Sequence, residues 1–267
     1  MRYTHGGKLQ LKVRKEFETG LTWLVTDQLR WIRFGVVSLN QGQSWTSPLT
    51  DQEQGVVLLS GSCKAIVNGQ DLGVMGPRKN VFEDPPWGLY IPGDTPFQLQ
   101  AESASELALC RCPSKSRGRP RMISPAELDL HHRGRPGFER KVVDIIVENV
   151  RADTMMVGET TNLAGQWSSY PPHKHEKDDL PREALLEELY LYKIDPPQGF
   201  GCQRIYTDDR SLDQSITLEH NDLVIIPRGY HPVAAAPGYR VYYLWVLAGP
   251  KRKLVAKDDP RHQWISG

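Results

Sequence analysis

Short apolar runs, alternating or β-branched and each closed off by turn residues, are the feature that most constrains how this chain can fold. Examples are Gly55-Val56-Val57-Leu58-Leu59-Ser60, Leu107-Ala108-Leu109-Cys110-Arg111-Cys112, Val142-Val143-Asp144-Ile145-Ile146-Val147, Leu223-Val224-Ile225-Ile226-Pro227 and Tyr242-Tyr243-Leu244-Trp245-Val246-Leu247. Twenty prolines and 23 glycines fall largely between such runs. Runs of this length with turn residues between them read as many short strands, hence a β-sandwich or barrel. Helical periodicity is weak. One short helix is expected at Ser124-Pro125-Ala126-Glu127-Leu128-Asp129, with a serine N-cap, proline at the first helical position and an acidic first turn.

At 267 residues the chain can bury a sizeable core in one large or two middling domains. Thirty-three basic residues balance 32 acidic ones, which gives no reason to expect a nucleic acid or an anionic membrane as partner. No apolar run approaches the ~20 residues of a membrane-spanning helix, and the N-terminal residues lack a signal-like apolar stretch. Cys63, Cys110, Cys112 and Cys202 do not form a disulfide pattern; Cys110 and Cys112 are expected as small, semi-buried thiols on one strand face. A reducing cytoplasm is the compartment expected.

Between Pro113 and Arg140 the composition shifts to Arg, Lys, Gly, Pro and Ser, as in a connection between domains. The expected division is a first β-domain over 1–113, a linker over 114–140 and a second β-domain over 141–267. The halves resemble each other. Trp87-Gly88-Leu89-Tyr90-Ile91-Pro92-Gly93-Asp94-Thr95-Pro96-Phe97 and Asn221-Asp222-Leu223-Val224-Ile225-Ile226-Pro227-Arg228-Gly229-Tyr230-His231-Pro232 both read as an apolar strand, Ile-Pro, Gly within a turn and then Pro, as a duplicated domain would.

The second half carries the chemistry. In Pro171-Pro172-His173-Lys174-His175 the two imidazoles, spaced by two on an extended chain, face the same way. Glu187-Glu188 opens the next apolar strand, and one of the two must share that face. His231 follows the Ile-Pro-Arg-Gly-Tyr turn. Three imidazoles and one carboxylate from separate strands make a divalent-metal site with room for water or substrate. The first half has Phe97 at the place matched to His231 and no His-x-His, so its barrel is expected to hold no metal.

His-x-His, Glu, then Pro-x-Gly-x-His is the cupin pattern, which implies two tandem double-stranded β-helix, jelly-roll-like barrels. The wording is closer to one family. Gly158-Glu159-Thr160-Thr161-Asn162, Gln166-Trp167-Ser168-Ser169-Tyr170-Pro171-Pro172-His173-Lys174-His175, Glu187-Glu188-Leu189-Tyr190, Asp195-Pro196-Pro197-Gln198-Gly199-Phe200-Gly201 and Val224 to Val233 together resemble the 5-deoxy-glucuronate isomerases of inositol catabolism. The related uronate isomerases of pectin breakdown, acting on 4-deoxy-L-threo-5-hexosulose-uronate, share the two-barrel plan. In cupins the ligand glutamate directly precedes an apolar-aromatic pair, which favours Glu188 over Glu187.

The resemblance implies an aldose–ketose isomerisation of 5-deoxy-D-glucuronate to 5-dehydro-2-deoxy-D-gluconate, assisted by one divalent ion, Zn or Mn, through an enediolate. Proton carriers would come from Glu187, Tyr190, Tyr192 and Tyr243. The substrate's carboxylate would need a cation, for which Arg228, Arg204 and Lys174 are the candidates; strand alternation turns Lys174 away from the ion. A sugar acid is the expected partner, and a homo-oligomer is left open. Two other classes fit the same ligand set: a metal-dependent cupin oxygenase and a non-catalytic sugar-binding cupin.

Overall fold

The computed structural model describes residues 4–5, 8–115 and 118–265. Among these the chain is built from strands and two single-turn 3-10 helices, and no helix is long and apolar enough to cross a membrane. The expected helix after Ser124 is the single turn Pro125–Glu127, where the Ser124 N–H donates to the Glu127 carboxylate at 2.9 Å.

Each half is a pair of facing antiparallel sheets. In the first, Arg121–Ile123, Trp87–Ile91, Glu53–Val67, Ser105–Cys112, Arg33–Leu39 and Gly20–Val25 lie side by side in that order. The 15-residue strand Glu53–Val67 continues into the facing layer, where it pairs with Gln70–Arg78 and Phe97–Ala101. In the second half, Asp129–Arg133, Arg140–Ile146, Met155–Asn162, Arg240–Ala248, Glu187–Asp195 and Leu223–Ile226 form one sheet; Trp167–Ser168, Val233–Ala235, Gly201–Tyr206 and Asp213–Leu218 form the other. This is the expected all-β arrangement of two jelly-roll-like barrels.

The stretch expected as a linker contributes strands of its own. Arg121–Ile123 adds to the first half's sheet and Asp129–Arg133 to the second's. Near the N-terminus, Lys12–Val13 crosses over to pair with Val224 and Leu223 of the second barrel. The pairings of Arg121–Ile123 and of Lys12–Val13 are non-local, so local composition carries no sign of them; that of Asp129–Arg133 is a hairpin closed by residues 134–139.

Three cores result. One fills each barrel. The third lies between them, where Phe34, Val36, Val57 and Cys110 of the first half meet Ile145, Val157, Leu189, Leu191 and Val246 of the second. Packing the outer faces of both large sheets against each other explains why their strands read as continuous apolar runs rather than strict alternations. Cys110 and Cys112 sit here fully buried rather than semi-buried; burial pushes the Cys110 thiol up to about 12 and Cys112 well above its usual range.

The halves are also joined by buried polar contacts. Arg78 donates to both carboxylate oxygens of Glu159 at 3.0 Å and to the Leu58 carbonyl at 2.7 Å. Glu53 accepts from the backbone N–H groups of Asp153, Thr154 and Met155, each at 2.8 Å. Reciprocally, Glu187 accepts from the backbone N–H of Arg30 at 2.8 Å and of Trp31 at 2.9 Å.

Candidate metal centre and its cavity

Strand Glu187–Asp195 lies between Leu223–Ile226 and Arg240–Ala248. Its alternation separates two sets of side chains. Leu189 and Leu191 enter the core between the barrels, with Glu187 on the same side against Arg30 and Trp31. Tyr190, Tyr192 and Ile194 enter the second barrel's own core, and Glu188 lies on that side.

Inside the barrel, His175 Nε2, Glu188 Oε2 and His231 Nε2 converge. Ligand atoms of these three residues lie within 4.8 Å of one another. His175 Nε2 is 2.9 Å and His231 Nε2 3.2 Å from the same Glu188 oxygen. His173 flanks them, its ring centroid 4.9 Å from that of His231. Lys174, between the two histidines, points the other way. It pairs with Asp208 and Glu176 and lies over the Tyr230 ring, buried but outside the cluster.

The hydrogen bonds around the imidazoles suit metal ligation. His175 Nδ1 is 3.0 Å from the Leu186 carbonyl and His231 Nδ1 is 2.9 Å from that of Gly229. Donation from Nδ1 to a backbone carbonyl fixes the ring and leaves Nε2 for an ion. His231 Nε2 is buried and, although 3.2 Å from the Glu188 oxygen, is not aligned to hydrogen-bond with it, a state that buried polar atoms rarely tolerate. Burial, then the neighbouring imidazoles, holds His231 well below the usual histidine range, and burial lowers His173 to about 4. Burial also opposes charge on His175, but the Glu188 carboxylate outweighs it and the net shift is upward. Imidazoles around one carboxylate, each giving up its proton at the nitrogen that ligates, are the donor set that Zn²⁺ or Mn²⁺ accepts.

Glu188 of the cluster and the flanking His173 open onto a cavity of about 120 Å³, lined also by Tyr190, Tyr243, Ser169, Thr160, Asp144, Arg133 and Arg140. Tyr190 and Tyr243 stack with centroids 4.3 Å apart, their hydroxyls bonded to Ser169 at 3.0 Å and Ser168 at 2.8 Å. Burial raises both phenols, so they stay protonated. Tyr192 lies deeper and bonds to Gln203 at 3.0 Å, outside the cavity lining. Glu187 is on the opposite strand face. Neither Arg204 nor Arg228 reaches the cavity. Arg204 pairs with Asp213 at 2.7 Å, and Arg228 is exposed, 3.9 Å from Glu176.

Arg133 and Arg140 were not among the residues expected from the sequence. They sit on paired strands, opposite each other in register. The available signal was that Arg140 heads an apolar strand and shares a face with Val142 and Asp144.

The first half repeats this geometry without the ligands. Gln54 pairs with Ile91 and Arg111, as Glu188 pairs with Ile226 and Leu247. The turn residues with positive φ are Asp94 and Gly229, so Pro96, rather than the expected Phe97, occupies the place of His231. Gln54 accepts from Arg111 Nε at 2.8 Å and from Ser47 Oγ at 2.9 Å.

Two facing-sheet barrels in tandem, with a histidine and glutamate cluster inside the second, define a two-barrel cupin. The KduI/IolB family matches residues 11–265, and the chain belongs to that family. The 5-deoxy-glucuronate isomerase of Geobacillus thermodenitrificans (strain NG80-2) is 41% identical over 236 residues, 88% of this chain and 86% of that protein. That of Halalkalibacterium halodurans is 38% identical over 260 residues, 94% and 96% respectively. The crystal structure of an IolB-like protein from Salmonella typhimurium LT2 matches with a TM-score of 0.93 and 36% identity, over 97% of this chain and 100% of that one. The oxalate decarboxylase of Lactobacillus farciminis, at 13% identity and a TM-score of 0.67 over 95% of this chain and 90% of its own, shares the fold. With its curated relatives, the chain is an enzyme of the isomerase class.

Proposed function

We propose that this enzyme converts 5-deoxy-D-glucuronate to 5-dehydro-2-deoxy-D-gluconate, a step of inositol catabolism, in the cytoplasm, with one divalent ion held by His173, His175, Glu188 and His231. The carrying observation is the convergence of His175 Nε2, Glu188 Oε2 and His231 Nε2, with Glu188 opening onto a cavity that also presents His173 and two phenols. Zn²⁺ or Mn²⁺ there would supply Lewis acidity toward the oxygens on C1 and C2. The reaction moves one proton from C2 to C1 and another from the C2 hydroxyl to the C1 oxygen, with no net change in composition.

The protein's own groups account for the rest. Tyr190 and Tyr243 keep their protons because they are buried, and both face the cavity; Tyr190, which can accept from Ser169, donates to a sugar oxygen, while Tyr243 donates to Ser168 and offers its hydroxyl oxygen as an acceptor. Ser168 and Ser169 fix the direction of those hydroxyls. A phenol held protonated next to a forming oxyanion stabilises it by hydrogen bonding and can return a proton at its Oη. Glu187, committed to Arg30 and Trp31, takes no part.

The test is metal analysis of the purified protein together with an isomerase assay on 5-deoxy-glucuronate. About one divalent ion per chain and turnover that disappears on chelation and returns with Zn²⁺ or Mn²⁺ are expected. Turnover of that substrate by fully stripped protein, or oxygen consumption by iron-loaded protein without isomerisation, would overturn the reading.

A further inference from the structure

Resting on that reading of the reaction, we infer that Arg140 is the group that holds the substrate's carboxylate, with Arg133 adding positive charge at the same end of the cavity. Arg140 heads strand Arg140–Ile146 and lines the cavity that also contains His173, Glu188, Tyr190 and Tyr243. Glu188 and His173 therefore share one space with the arginine pair and the stacked phenols. A sugar acid with its carbonyl toward Glu188 and His173 and its carboxylate toward Arg140 matches that charge distribution.

Arg140 is placed for this role by what it does not touch. Arg204, Arg240, Arg78 and Arg14 each have a carboxylate partner. Arg140 has none among the described residues; its Nη1 donates to the Phe138 carbonyl at 3.2 Å, which leaves Nε and Nη2 for a ligand. Half-buried cations are normally paired. Burial, with the nearby Arg133, lowers its pKa, and no carboxylate acts against that shift. Gly134, at φ +93°, turns the chain beside it: a Cβ there would stand 2.1 Å from the Phe138 carbonyl oxygen that accepts from Arg140 and 2.9 Å from Arg140 Nη1, so this turn admits only glycine. A planar guanidinium with two free edges binds a carboxylate through two hydrogen bonds.

The test compares Arg140→Met and Arg140→Lys with the unaltered, metal-loaded enzyme. For 5-deoxy-glucuronate, kcat/KM should fall roughly ten- to hundred-fold in the methionine variant, mainly through KM, with partial recovery in the lysine variant and unchanged metal content. In parallel, D-glucuronate and uncharged D-glucose are titrated by calorimetry. The unaltered protein should prefer the acid, and Arg140→Met should bind both alike. The second arm separates the two readings. An Arg140-dependent preference for glucuronate in a protein that does not turn over the uronate leaves the carboxylate site standing and removes the reaction. Retained KM and retained acid preference in Arg140→Met, loss of that preference in Arg228→Met instead, no preference in the unaltered protein, or loss of metal from Arg140→Met would each overturn the assignment.

Discussion

Replacing Glu187 and Glu188 one at a time should separate stability from metal affinity, although the two are adjacent in sequence. Glu187→Ala removes the acceptor of the Arg30 and Trp31 N–H groups. Arg30 is exposed, so water replaces its partner at little cost; Trp31 is half-buried and loses more. A hydrogen bond to a charged acceptor is worth about 1.5–3 kcal/mol, and an orphaned buried donor costs about 1–3 kcal/mol. Set against this is the relief of no longer holding a carboxylate that burial pushes up from its ordinary pKa. The balance is a loss of about 2 kcal/mol, with metal affinity unchanged because the residue faces away from the cluster.

Glu188→Gln should do the reverse. The amide keeps the shape but removes the only carboxylate among the ligands. Disturbing a group that merely supports a ligand already costs about 10–100-fold in affinity, so a loss of at least about a hundred-fold is expected here. Metal-free stability should hold or rise, since burial disfavours the ionised Glu188. Urea unfolding in chelator and competition with a chromophoric zinc chelator read the two quantities. If Glu187→Ala alone loosens the ion, the assigned strand faces are reversed and the roles of Tyr190 and Tyr192 fall with them. An unchanged urea midpoint in Glu187→Ala would show that the contact with the first half contributes nothing.

Arg78→Met leaves Glu159 buried with the Tyr242 hydroxyl at 3.0 Å and should destabilise the protein by about 3–5 kcal/mol in urea unfolding. Of the four thiols, Cys202 is exposed while Cys63 and Cys110 are pushed up to about 12 by burial, so a thiol reagent at pH 8 should label one cysteine in the native protein and four in urea. In metal-free protein the His173 imidazole should titrate near pH 4 by NMR. Because its native pKa lies below that of the unfolded chain, the unfolded state binds the extra proton between about 4 and 6.5. Relative to His173→Gln, stability should therefore rise with pH across that window and be lost as pH falls through it.

What the sequence made legible was local. The alternation of Glu187 through Ile194 and the i, i+2 spacing of His173 and His175 depend on the two-residue strand repeat, which no distant contact has to supply. Lys174 turning away follows from the same rule. The fate of the arginines does not. Arg228 and Arg204 stood near the ligands in sequence, yet each settles by a closer carboxylate, Glu176 or Asp213, that its own hairpin or a neighbouring turn supplies. Arg140 closes a stretch whose composition looked like a solvated linker, and only the pairing of Asp129–Arg133 with Arg140–Asp144 brings two arginines to the cavity. The crossing of Lys12–Val13 to the second barrel was invisible for the same reason.

The comparison of the halves explains why two adjacent glutamates looked interchangeable. Glu53-Gln54 and Glu187-Glu188 begin equivalent strands, and the first residue of each pair accepts backbone N–H bonds from the other half. That role is structural and is kept in both barrels. The second residue faces its own barrel's interior, where the halves diverge. In the first, Gln54 is satisfied by Arg111 and Ser47, and proline stands where His231 would be. In the second, Glu188 meets the imidazoles of His175 and His231, both anchored by backbone carbonyls, with His173 flanking His231. A neutral amide closed by an arginine completes a polar interior by itself, whereas a carboxylate facing imidazoles is completed by a cation. A Gln54→Glu change should therefore create a buried Glu–Arg111 pair, and metal should still fail to bind there, as equilibrium dialysis with Zn²⁺ would show. One additional ion per chain in that variant would mean that the carboxylate alone, without the imidazoles, defines the site.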